Sequence, residues 1–225
     1  MMTTMRYVRF LVLLALAPAA FAAQNVTHDF RAVRPSKGIL RVQINIPAAE
    51  LDVQNTIGDQ IEVFGTATRA WEEASEQARA QQIVNSSGAA ITVEGTRAFV
   101  KRSFGDGAQG RSSQGSQTRF TVHVRLPKGM HVEVRQLAGQ VDLTGTFGDI
   151  NVEMRSGDVN VVVPRREVHE LEARATAGDV TTNLGTQIIE REGLFAGKTR
   201  FLNASGRSDL SVMVTVGNID IQLVE

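Results

Sequence analysis

The stretch GQVDLTGTFGDINVEMRSGDVNVVVP, residues 139–164, carries one five-residue unit three times in the same phase. The units are Gly139-Gln140-Val141-Asp142-Leu143, Gly148-Asp149-Ile150-Asn151-Val152 and Gly157-Asp158-Val159-Asn160-Val161. Two more follow, Gly178-Asp179-Val180-Thr181-Thr182 and Gly217-Asn218-Ile219-Asp220-Ile221, so successive glycines stand 9, 9, 21 and 39 residues apart. Glycine permits a positive φ at a tight corner, and Asp or Asn hydrogen-bonds the turning backbone. The aliphatic residues two and four places on then point to one side of an extended chain. Gly139, Gly148, Asp149, Gly157, Asp158, Gly178, Asp179, Gly217 and Asn218 are therefore read as structural turn positions.

Two all-β architectures satisfy this pattern. An antiparallel β-sandwich or barrel uses each Gly-Asp as a hairpin turn. A β-solenoid, a β-helix-like stack of short strands, uses each as a corner, with one rung every 18 to 21 residues, as from Gly139 to Gly157 to Gly178. Recurrence in one phase favours the stack, because superposed rungs require it and a meander does not. Ten Phe, one Trp and one Tyr among many small aliphatics suit a narrow core. The 9-residue offset puts Asp149 on the edge opposite Asp158.

Working outward, Phe120, Val122, Val124 and Leu126 alternate with polar residues, Pro127-Lys128-Gly129 breaks the run, and Val132 and Val134 resume it. The two runs either pair as a hairpin or follow one another round a coil. Gly38 to Asp52, Gln60 to Gly65, Ala90 to Val93 and Ala98 to Phe104 also read as strands. Residues 69–84 (RAWEEASEQARAQQIV) contain no Gly or Pro. They predict one surface helix, N-capped by Thr68, that lays Trp71, Ala74 and Ala78 on a sheet. Residues 105–118 (GDGAQGRSSQGSQT) hold one Ala and no larger aliphatic, which predicts a flexible loop. The GxGxxG at Gly105, Gly107 and Gly110 is followed by no helical pattern, so it offers a pyrophosphate no helix N-terminus.

Residues 1–22 read as a signal peptide. Arg6 and Arg9 are the positive region, Phe10 to Ala17 the apolar one, and Ala20-Phe21-Ala22 sets cleavage after Ala22. The apolar segment falls short of the ~20 residues that cross a bilayer, and no later stretch approaches that length. Residues 23–37 form a polar lead and 38–225 the repeat domain. The expected location is periplasmic or extracellular, at the cell surface. Signal removal takes away two Arg, leaving 22 basic and 24 acidic side chains. With a pI near 6.9 the chain has no long-range field to gather nucleic acid. The absence of Cys excludes disulfides, thiolate chemistry and Cys-based zinc sites.

The Gly-Asp-Val units after Leu126-Pro127-Lys128-Gly129, the earlier strand–helix–strand portion and the closing Thr215-Val216-Gly217-Asn218-Ile219-Asp220-Ile221 resemble the exported β-strand-repeat family named "putative adhesin", a domain of unknown function. The resemblance covers most of residues 38–225. It implies a right-handed β-solenoid-like, non-enzymatic envelope or surface protein. The charged segments Arg165 to Ala173 and Gln187 to Gly197 depart from the plain repeat.

No residue pattern specifies catalysis, a cofactor or a metal. His123 and His131 would share a polar face with Glu133 only if their strands paired across Pro127, and a third ligand is missing beside them. Asp149, Asp158 and Asp179 serve turn chemistry in this reading, since too few fall in register for Ca²⁺. The sequence contains no GxSxG elbow and no clustered carboxylate pair of the glycosidase kind. The expected function is a non-enzymatic structural, adhesive or interaction module of the envelope, acting on an unidentified protein or surface partner. The alternatives are an envelope-stress sensor or accessory factor that binds a membrane-complex partner through residues 101–118 or the helix, and a carbohydrate-active β-helix enzyme.

Overall fold

Residues 132, 134 and 136 are buried, and so are 141 and 143, so the inward phase changes between the two runs. The change falls at Gly139, whose φ is +124°. Gly157 (φ +129°) makes the same change 18 residues later, between buried Ile150, Val152 and Met154 and buried Val159, Val161 and Val163. A strand that switches phase at a corner wraps two walls around one core.

The computed structural model describes residues 24–71, 73–104, 118–184, 189–190 and 197–225. It begins with β1 (Gln24–Pro35), β2 (Arg41–Asn45), β3 (Ala48–Thr56), β4 (Gln60–Trp71) and the helix α1 (Ala74–Asn85). Next come β5 (Ser87–Glu94), β6 (Arg97–Phe104), β7 (Thr118–Pro127), β8 (His131–Thr144) and β9 (Ile150–Pro164). The remainder is β10 (Val168–Ala177), β11 (Val180–Thr182), β12 (Ile189–Glu190), β13 (Gly197–Leu202), β14 (Ser208–Val216) and β15 (Ile219–Val224).

These strands form a β-solenoid-like stack. One wall runs β6, β2, the first half of β8, the first half of β9, β14, β10, all parallel. The other runs β7, β3, the second halves of β8 and β9, β15, β11, again parallel. Antiparallel pairing, which a sandwich would use throughout, is confined to the flanks: β4 and β1 beyond β7, β5 beyond β6, and β13 and β12 beyond β10. The 120–126 and 132–134 runs do not pair as a hairpin: β7 pairs with β3 and β4, and β8 lies on the far side of β2 and β3 from it.

Between the walls the core is built of columns. Val122, Leu51, Val141, Val159, Ile219 and Val180 lie in successive rungs, and none is more than 5% exposed. Ala98, Val42, Val132, Ile150, Leu210 and Leu171 form the facing column. Each fully buried Val, Ile or Leu contributes about 1.5–3 kcal/mol. Parallel in-register stacking places like on like, which explains why the aliphatic phase must be kept from rung to rung.

The rungs are not stacked in chain order. The Gly157 rung is followed in space by the Gly217 rung and only then by the Gly178 rung, so Gly178 is not the neighbour of Gly157 that its 21-residue spacing suggests. Likewise β6 and β7 lie outside β2 and β3, although they come later in sequence. The chain passes a place at each end of the stack and returns to fill it.

Three local expectations are corrected. Residues 24–35, within the stretch read as a polar lead, form β1 and pair with β4 along their whole length. That pairing extends β4 to Trp71, which pulls Thr68 to Trp71 out of the expected helix. Sheet hydrogen bonding outweighs helix propensity there. The helix starts after Glu73 with no side-chain cap, and it buries Ala80 and Val84, while Ala74 and Ala78 stay exposed. It packs on β1, β4 and β5, at the β6/β7 end of the stack. Of the 105–118 segment, Thr118 opens β7 and residues 105–117 lie outside the described residues.

A Cβ at Gly157 would stand 1.8 Å from the carbonyl oxygen of Gly139 in the next rung, whereas one at Gly38 (φ +81°) would meet nothing within 4 Å. Gly38→Ala should therefore cost only the ~1–2 kcal/mol of its left-handed backbone. Gly157→Ala should cost clearly more, at least ~3 kcal/mol, because a backbone must also shift. Urea unfolding of the two variants measures the difference. Removal of residues 208–225 should abolish cooperative unfolding, since it takes out a rung that both β9 and β10 need.

Candidate interaction surface

The corner glycines form a column down one edge. Cβ atoms at Gly139, Gly157, Gly217 and Gly178 would each fall 1.8–2.0 Å from a carbonyl oxygen of the adjacent rung, on Ala49, Gly139, Gly157 and Gly217 in turn. The Asp or Asn after three of these glycines, Asp158, Asn218 and Asp179, then bonds across rungs. The backbone N–H of Asn218 donates to Asp158 Oδ1 at 2.9 Å, and its side-chain Nδ2 donates to the same oxygen at 3.1 Å. The N–H of Asp179 donates to Asn218 Oδ1 at 3.2 Å. Asp and Asn thus supply acceptors for N–H groups that the corner turns away from the regular ladder. At the start of the column the buried Gln136 side chain donates to the carbonyls of Ala49 and Ala138, at 2.6 and 2.8 Å.

Gly148 and Asp149 sit on the opposite edge, between β8 and β9. His131 Nδ1 accepts the Asp149 N–H at 3.0 Å and lies 3.1 Å from Asp149 Oδ2. Asp149 Oδ1 accepts the Asp209 N–H at 3.1 Å, and His169 Nδ1 lies 3.1 Å from Asp209 Oδ1. Reading the repeats missed this second row. Its signal was present, because Ser208-Asp209-Leu210-Ser211-Val212 repeats Gly148-Asp149-Ile150-Asn151-Val152 with Ser for Gly, in register.

His123 and His131 do not come together. His123 on β7 pairs across to Asp52, with Nδ1 3.0 Å from Asp52 Oδ2, and stacks on Phe64. Among the described residues no three His, Asp or Glu side chains are grouped to hold a metal ion. Arg102 on β6 lies over the Phe120 ring, 4.8 Å from its centre, and desolvation by burial lowers its pKa. Among the described residues, no helix is long and apolar enough to cross a membrane.

The walls are largely polar on the outside, with rows of side chains in register from rung to rung. One row runs His123, Asp52, Asp142, Asn160, Asp220. Asn160 Nδ2 donates to Asp142 Oδ1 at 2.6 Å, while Gln140 and Gln222 donate to Asp142 and Asp220 within their own strands. The depressions on these walls are open; one of about 530 Å³ lies across β8, β9, β14 and β10.

A family model described as Toastrack DUF4097 matches residues 39–221. A crystal structure of a "putative cell adhesion protein" from Clostridium sporogenes superposes with a TM-score of 0.51 at 14% identity, covering 88% of this chain and all of that one. A "putative adhesin" from Bacteroides fragilis covers 89% of this chain and 98% of its own at 9% identity and a TM-score of 0.25. One from Parabacteroides merdae covers 90% and 97% at 8% identity and 0.26. The first shows the same fold. No curated protein matches the chain at a significant level.

Asp158→Ala removes the acceptor of two bonds and should cost about 0.5–1.5 kcal/mol, whereas Asp158→Asn keeps an acceptor oxygen and should cost less than half of that. Asp179→Ala, at the end of the column, should change stability by no more than ~0.5 kcal/mol. Equilibrium unfolding in urea orders the three.

Proposed function

The chain belongs to the Toastrack DUF4097 family, and from that premise we propose that it is an exported, non-catalytic interaction module of the bacterial cell envelope. The observation that carries the reading is the pair of walls, six parallel rungs deep, that present polar side chains in register from rung to rung, with Asn160 bonded across to Asp142 and His123 beside Asp52. A surface held this rigidly loses little side-chain entropy on contact and can meet a broad partner without enclosing it. Two further observations support it: the signal-peptide pattern ending at Ala22, and the shared fold of the Clostridium sporogenes protein described as a "putative cell adhesion protein".

Export predicts that the protein recovered from the envelope or medium begins at Ala23, which N-terminal sequencing checks. A start at Met1 in the soluble cell interior would defeat it. The interaction reading predicts that photo-crosslinkers on the walls, at Gln54 or Thr215, capture a partner in the native envelope. One placed on α1 at Gln77 should not. A single stoichiometric adduct obtained only through α1 would favour the accessory-factor alternative instead.

A further inference from the structure

The two walls carry different charge. From β3 to β11 the outward positions hold Glu50, Asp52, Asp142, Asp158, Asp179 and Asp220 and no Lys or Arg, while Arg119 and Arg125 stand on β7 at the end of this wall. Glu50 is paired with Arg119, and Asp52 lies beside His123. Asp142, Asp158 and Asp220 meet only neutral donors from Gln140, Asn160, Asn218 and Gln222. The opposite wall, from β2 to β13, presents Arg41, Arg135, Arg155, Arg174, Lys198 and Arg200. Its acids are Glu133, Glu153, Glu170 and Glu172; Glu133 and Glu153 hold Arg135, Glu170 holds Arg200, and Glu172 lies in register with Arg200. Arg155 and Arg174 have no ion-pair partner among the described residues. They flank the open groove of about 530 Å³, whose floor includes Met213 and Thr215 and whose rim includes Leu137, 59% exposed.

We infer that this protein associates with itself face to face, the Asp142/Asp220 wall of one copy seating on the Arg155/Arg174 groove of the next. Two features select a second copy as the occupant. The charges are complementary between the walls of one chain, which steers encounter and fixes orientation. The walls also share their spacing, because every rung supplies one strand segment to each. Rows on both sides therefore repeat at the same ~4.8 Å, and rung can lie against rung over the whole contact. Asp142 and Asp220 lie two rungs apart, and so do Arg155 and Arg174. Different faces meet in such a contact, so it is heterologous, and each added copy presents a fresh wall.

This goes beyond the envelope role. The association belongs to the purified protein, so its failure would leave that role standing, and failure of export would leave the association standing. Sedimentation velocity of residues 23–225 tests it. In low salt (~20 mM NaCl) the weight-average mass should rise with concentration by about twofold or more, and in ~0.5 M NaCl it should return to that of the monomer. Asp142→Lys with Asp220→Lys should be monomeric at low salt, as should Arg155→Glu with Arg174→Glu. Mixing these two variants restores opposite charge at every contact and should restore the higher mass. If the lysine variant does not give the wild-type circular dichroism spectrum, Asp142→Asn with Asp220→Asn serves in its place and should weaken association about tenfold. A wild-type monomer at low salt, association that ignores the substitutions, or a mixture that stays monomeric would each overturn the inference.

Discussion

The structure depends on how closely backbone can approach backbone at one edge of the stack. There the corner glycines of four successive rungs, Gly139, Gly157, Gly217 and Gly178, each lie against a carbonyl oxygen of the adjacent rung, at a distance where no side chain fits, and their φ of +124° to +146° turns the chain from one wall to the other. Rung spacing, the change of inward phase and the rows on both faces all follow from that contact. The Asp or Asn after the glycine completes it, because turning the corner aims an N–H toward the neighbouring rung, where a side-chain oxygen receives it. Glycine and Asx are thus two halves of one device.

Much of this was legible before any coordinates. The phase of Val141/Leu143 against Val159/Val161 is the core column, and the 18-residue step from Gly139 to Gly157 is the coil length. What periodicity could not convey is the order of rungs. Gly217 repeats the unit as faithfully as Gly178 does, and nothing local says which of them lies beside Gly157; that is set by which connection reaches, through 184–207 or directly. The helix boundary was lost for a related reason. Thr68 to Trp71 are acceptable in either state, and only β1, some forty residues earlier, decides for the strand.

The prospective site divides in the same way. Residues that serve the corner are visible because they repeat. Those that give the walls their charge, such as Arg155, Arg174 and Asp220, are isolated in sequence and become neighbours only through register. An interaction surface built on a stack is therefore poorly marked in the linear text, because its rows are read across the strands. Met213 shows this well: alone it is an unremarked methionine, and in the stack it lies between Glu153 and Arg174.

The out-of-order filling of the stack also sets a clock. Until residues 208–225 have been made and released, β9 and β10 have no rung between them, and the two rungs beyond β9 cannot be completed. Assembly beyond β9 must then wait for that segment and finish by inserting it between β9 and β10. The unfinished molecule would meanwhile expose two parallel strand edges, which makes the interval before closure the time when a chaperone has the most to gain by holding on.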